Sequence, residues 1–118
     1  MMRVLVVEPG NRPYVKEIGS GLESLQAEVG GLIEAVYPFD DPIAIVCNEE
    51  GKLNGLPLNR ALRDEDGDVY DVVAGTFIVV GLTDDDFGSL SDEMLKKYRK
   101  LFYQPECFLN IGGKLLIV

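Results

Sequence analysis

No histidine occurs anywhere in the 118 residues. The side chain whose unperturbed pKa lies nearest neutrality, the usual general base and the commonest metal ligand, is therefore missing. Nucleophilic triads built on imidazole are excluded, and a carboxylate, lysine or tyrosine can substitute only after a large shift of its pKa. Cysteine is scarce. Cys47 and Cys107 lie far apart and form no CxxC pair, so each reads as a small buried hydrophobe rather than half of a disulfide or metal site. Long apolar runs are missing as well: no segment nears the roughly 18 residues that a membrane helix needs. The opening MMRVLVVEPG sets a strand-like stretch where a signal peptide needs a longer apolar region, so a cytoplasmic, membrane-free protein is the expectation. Nucleotide loops are absent too, with neither GxxxxGK(S/T) nor a GxGxxG following a strand.

Basic residues are missing from one long stretch. Between Asp64 and Glu93 stand ten acids (Asp64, Glu65, Asp66, Asp68, Asp71, Asp84, Asp85, Asp86, Asp92, Glu93) and no lysine or arginine. The rest of the chain holds ten acids and eleven bases, so the net charge of −9 is regional. Such a field repels phosphates, which excludes direct nucleic-acid binding through this stretch and favours a basic protein surface as partner. Acids in exposed turns also serve solubility, which is the plainer account of them.

What is present is enough apolar residue, 47%, for one folded domain spanning 1–118. Arg3 to Pro9, then PYVKEI, read as strands around a turn at Asn11-Arg12-Pro13. SGLESLQAEVGG reads as a helix, with Ser20 and Glu23 forming a capping box, Leu22, Leu25 and Val29 on one face, and Gly30-Gly31 as the stop. LIEAVYPF, IAIVCN, VYDVV and TFIVVGL are further strands. Ser91 caps a second helix whose apolar face is Met94, Leu95, Tyr98, Leu101 and Phe102; lysines and arginine fill the rest of its surface. FLNI and KLLIV close the chain around Gly112-Gly113. Many strands joined by short turns, with two helices, predict an α+β fold: a largely antiparallel, curved sheet of six or more strands with both helices packed on one face. KLLIV is too apolar for an open edge, so it is expected inside the sheet or paired across a homodimer.

The stretch CNEEGKLNGLPLNRAL is the densest in polar punctuation. IAIVCN entering Glu49-Glu50-Gly51 and KLNGL leaving it read as a hairpin, followed by a bend at Gly55 and Pro57. Its asparagines suit turns, since their amides bond nearby backbone. The functional alternative is that Asn48, Asn54, Asn59 and Arg60 converge beside Leu53, Leu56 and Leu58 as a pocket for a small, nucleotide-like ligand. In RDEDGDVYD the alternating Asp64, Asp66 and Asp68 suggest calcium, but Val69 and Gly75 stand where the loop needs glycine and glutamate. Asp84, Asp85 and Asp86 sit where Thr83 can cap a short turn. No catalytic residue, cofactor or metal is expected, and an enzyme ranks last among the candidate functions.

Laid end to end, VGGLIEAVYPFDDPIAIVCNEEGKLNGLPLNRAL and VYDVVAGTFIVVGL resemble the small bacterial and phage proteins grouped as domain of unknown function 3846. The linked NEEGKLNGLPLNR and AGTF elements carry the resemblance, and the second helix and tail contribute least. That family brings no assigned activity and no catalytic residue. It implies an accessory protein of phages and conjugative elements. The function expected on these grounds is non-enzymatic: docking on a host or element protein through Asp64, Glu65, Asp66, Asp68, Asp84, Asp85 and Asp86, whose charge mimics that of nucleic acid.

Overall fold

The computed structural model describes the whole chain, Met1–Val118. Its elements in order are β1 (Met2–Val7), β2 (Tyr14–Ile18), α1 (Leu22–Val29), β3 (Ile33–Val36), β4 (Ile43–Asn48) and β5 (Leu58–Arg63). There follow β6 (Val69–Ala74), β7 (Phe77–Leu82), β8 (Phe87–Gly88), α2 (Asp92–Leu101), β9 (Phe108–Ile111) and β10 (Lys114–Ile117). The fold is α+β, with a multi-strand sheet and two helices, but the expected curved sheet is not what forms. The main sheet is open, in the order β2-β1-β7-β4-β3 with β8 added on β7, and β2 and β3 are its two free edges. It neither curls back nor closes. The remaining strands form two separate ribbons, β5-β6 and β9-β10, so they never extend the sheet into a curve.

The helices also divide between the faces rather than sharing one. Side chains alternate across a strand, so each central strand supplies two cores. Leu5, Val7, Ile43, Ile45, Phe77 and Val79 point to one side, where they meet Leu90, Leu95, Tyr98 and Phe102 of the α2 segment and Leu62 and Val73 of the β5-β6 ribbon. Val4, Val6, Ala44, Val46, Ile78 and Val80 point to the other and meet Ile18 and Leu25. The near-continuous apolar runs LVV, IAIVC and FIVV are what a strand covered on both sides requires. On the α2 side the rings of Phe39 and Tyr98 lie 5.0 Å apart and those of Phe77 and Phe102 5.3 Å apart, edge to face in the second pair.

Local signals fare unevenly. Ser91 caps α2 as expected, its hydroxyl accepting from the Met94 amide at 3.2 Å. At α1 the cap is Gly21, with no side-chain hydrogen bond, so the Ser20–Glu23 box does not form; Ser20 stands one residue too early. Gly30 ends α1 in the left-handed region at φ 79°. Leu22 and Leu101 are exposed, each at a helix end that overhangs the core. KLNGL is not a strand: residues 49–55 are consecutive turns, and β4 pairs with β3 and β7 instead. Gly75, at φ 81°, breaks β6 from β7, and a Cβ there would come within 2.7 Å of Leu56. It lets the chain leave the ribbon and insert β7 between β1 and β4, antiparallel to both. KLLIV lies outside the sheet, paired with β9 alone.

Candidate functional site

Two turns carry the acids. In the β5-β6 turn the Asp64 carboxylate accepts from the amides of Asp66 at 3.0 Å and Asp68 at 2.9 Å, a short-range pattern that aspartate favours. This draws Asp64, Asp66 and Asp68 together, their carboxylate oxygens within 4.8 Å, all three exposed. Between β7 and β8 the Thr83 hydroxyl accepts from the Asp86 amide at 3.0 Å and donates to its carbonyl at 2.8 Å. Asp86 then accepts from the Phe87 amide at 2.7 Å. That is the cap expected of Thr83, and it leaves Asp84 and Asp85 pointing outward with no bond of their own.

The topology brings both turns to one end of the sheet. Ile43 is in register with Gly81, and the Leu82 amide donates to the Pro42 carbonyl at 2.9 Å, so the 82–87 turn lies beside the 40–42 loop. That same loop shares a shallow depression of about 580 Å³ with the base of the other turn, bounded by Tyr37, Phe39, Asp40, Asp64, Glu65 and Tyr70 among others. Asp40 and Asp41, which precede the acidic stretch in the chain, therefore join the acidic end. Neutralisation there is slight. Lys97 pairs with Asp41 at 2.5 Å, while Arg63 turns instead to Glu106 at 2.8 Å. Asp64, Glu65, Asp66, Asp68, Asp84, Asp85 and Asp86 form no salt bridge.

The 37–42 loop is pinned to α2 through Asp41. Its carboxylate receives the Tyr98 hydroxyl at 2.6 Å as well as Lys97. Those two hydrogen bonds, Lys97's first, hold the Asp41 carboxyl below its ordinary range, while burial followed by the Asp41 contact pushes the Tyr98 phenol up. The pairing is invisible in the sequence, because the two residues stand far apart along it.

The four polar residues of the 48–60 stretch do not converge. Asn48 donates to the Val29 carbonyl at 3.2 Å and accepts from the Glu50 amide at 2.8 Å, tying the end of β4 to the end of α1. Asn54 is exposed on the turn. Asn59 and Arg60 are 0% and 1% exposed. The Asn59 amide donates to the carbonyls of Val7 at 2.8 Å and Gly75 at 2.9 Å. Arg60 donates to the carbonyls of Phe102 at 3.0 Å, Asn11 at 2.7 Å and Asn59 at 3.2 Å, and to the Asn59 side-chain oxygen at 2.8 Å. No carboxylate touches the guanidinium; burial lowers its pKa, and Glu106 partly offsets this. Neighbouring residues of a regular strand face opposite sides, and the break in register between Leu58 and Arg60 is where β5 departs from that alternation, with both side chains buried.

A smaller cavity of about 240 Å³ does open beside Asn48, walled by Val36, Cys47, Leu62 and Val73 and rimmed by Glu34, Glu49, Lys52 and Asp71. Lys52 and Asp71 pair across its mouth. Cys47 lies buried at its wall, its thiol donating to the Glu34 carbonyl at 3.6 Å. Burial pushes that thiol up to about 11, which keeps it protonated and a poor nucleophile at neutral pH. Cys107, expected to be buried, is exposed, because its strap to the last hairpin runs outside both cores.

Replacing Arg60 by alanine takes the guanidinium from three buried oxygens, the carbonyls of Phe102 and Asn59 and the Asn59 side-chain oxygen, and a buried acceptor left unpaired costs about 1–3 kcal/mol. Urea unfolding of Arg60→Ala is therefore expected to show a loss of about 3 kcal/mol or more, and a neutral result would contradict the bonding described. Asp41 gives a pH signature. Because its folded pKa is depressed, its contribution is present above the unfolded value and disappears as the pH falls through the folded one. Asp41→Asn should thus be less stable than the parent at neutral pH, with the difference closing in acid, as read from thermal melts across pH.

The comparison with known proteins identifies the family: the chain belongs to the one described as Domain of unknown function (DUF3846), which matches residues 2–103. No curated protein and no solved structure matches it. The match covers the sheet, both helices and the β5-β6 ribbon, and stops before β9.

Proposed function

We propose that the protein is a non-enzymatic binding module that docks on the basic surface of a host or element protein through its acidic end. One observation carries this reading: turns separated in sequence are gathered at one end of the sheet, and seven of their carboxylates have no cationic partner. Unpaired like charges held close raise the free energy of the isolated protein, and a cationic surface relieves it. Exposed charges act mainly on encounter and specificity, so the interaction should weaken as salt shortens the Debye length from about 10 Å at 0.1 M to about 3 Å at 1 M. The mobile-element setting of the family supports a partner encountered in the host cytoplasm.

A second reading, a small-ligand binder, is favoured by the cavity beside Asn48. Asn59 and Arg60 are held within the fold, so the ligand would meet Asn48 and Lys52 instead.

For the first reading, a basic octalysine peptide and basic proteins drawn from host lysate should bind at low salt. Affinity should fall at least tenfold, about 1.4 kcal/mol, when Asp84, Asp85 and Asp86 are changed together to asparagine. Binding that is unaltered by those changes, or by 0.5 M salt, would overturn the proposal. For the second, nucleotides at 100 times their Kd add about 2.7 kcal/mol of stability. A melting shift lost in Asn48→Ala supports it, and no shift with any nucleotide removes it.

A further inference from the structure

The acidic protein carries a cationic groove. Along α2, Lys96, Arg99 and Lys100 fall on one flank at helical spacing with Leu95 and Tyr103, facing Val15 of the edge strand β2. The groove between helix and strand encloses about 630 Å³, and its lining surface is mostly apolar despite the charged residues on its wall. None of the three cations forms a salt bridge. The acid at its far end, Asp92, is bound to Arg3 at 2.8 Å, and the one carboxylate that β2 itself adds near that end is Glu17, on the same strand face as Val15. At the other end Arg12 lies over the Tyr103 ring, 4.7 Å from its centre, adding a fourth cation.

The strand side is equally unfinished. β2 pairs with β1 only, leaving its other edge without a backbone partner over five residues, Tyr14–Ile18. Val15 is opposite Leu5, which faces α2, so Val15 presents its 44% exposed side chain to the groove. A free edge, an apolar floor and a cationic wall together match one kind of occupant. We propose that an extended segment of a partner protein, with acidic residues alternating with aliphatic ones, adds to β2 as a further strand. Its backbone would pair with the β2 edge, its aliphatic side chains would rest on Val15 and Leu95, and its carboxylates would meet Lys96, Arg99 and Lys100. Charge complementarity selects the acidic partner. A nucleic-acid strand suits the groove less well, because it has no peptide backbone to pair with the β2 edge and no aliphatic side chains to cover the apolar floor. The inference is independent of the acidic-end reading, since it uses the opposite charge on different elements.

Fluorescence anisotropy with a labelled octapeptide of four Glu-Val repeats tests it, beside a peptide of four Lys-Val repeats and an eight-nucleotide thymidine strand. The Glu-Val peptide should bind saturably. Changing Lys96, Arg99 and Lys100 together to glutamine, on an exposed helix surface where the fold is kept, should weaken it at least tenfold. Val15→Glu should weaken it comparably, and changing Asp84, Asp85 and Asp86 to asparagine should leave it intact. No saturable binding of the acidic peptide, binding indifferent to the glutamine changes, or preference for the thymidine strand would each overturn the proposal. Loss of octalysine binding in the asparagine variant with the Glu-Val peptide unaffected separates the two surfaces.

Discussion

A single buried guanidinium holds the layers of this protein in register. Arg60 joins the β1–β2 loop through Asn11, its own strand through Asn59, and the end of α2 through Phe102. Asn59 extends the connection to the end of β1 and to the corner at Gly75. Three elements that share no regular hydrogen bonding, the main sheet, the β5-β6 ribbon and α2, are therefore tied through backbone carbonyls at one point. Placing a cation there without a carboxylate is unfavourable by desolvation, and only a complete set of acceptors offsets it. With that end of α2 fixed, the helix places Tyr98 against Asp41 and Lys96, Arg99 and Lys100 against β2.

Much of this order is written locally and some is not. The two-sided strands are visible in the sequence as runs such as FIVV, whose residues are apolar without alternation; followed through, that same feature points to helices on both faces rather than one. Ser91 is legible because its partner amide is three residues away. The place of β7 between β1 and β4 is not, since it rests on pairings across dozens of residues. Arg60 and Asn59 illustrate the limit most clearly. An arginine and an asparagine in a turn-rich stretch look like ligands for something external, and nothing nearby reveals that the acceptors come from residues 7, 11, 75 and 102. Short acidic runs beside glycine or threonine are legible as turns, yet their gathering at one end, with Asp40 and Asp41 added, depends on the β4-β7 register.

Charge is thus arranged at two levels. Along the chain the acids are concentrated in one stretch, and in space its two acidic turns meet at one end, Asp71 pairs with Lys52 elsewhere, and the unpaired Lys96, Arg99 and Lys100 of α2 look out over the β2 edge. A net charge of −9 hides this unevenness, because unpaired acids gather on two turns while unpaired cations line one flank of α2. Such a molecule approaches a charged partner in a preferred attitude before any contact forms.

The β9-β10 ribbon stands apart from all of this. Both of its faces carry aliphatic side chains open to water, with Leu109, Ile111, Leu115 and Leu116 between 43% and 60% exposed, and its strands bond only to each other. A two-stranded ribbon on its own is marginal in water. Its attachment to the body runs through Glu106, which accepts the Ala61 amide and grips Arg63. The ribbon can therefore melt and reform while β1, β4 and β7 remain closed, so its amides exchange hydrogen with solvent on a faster clock than those of the sheet.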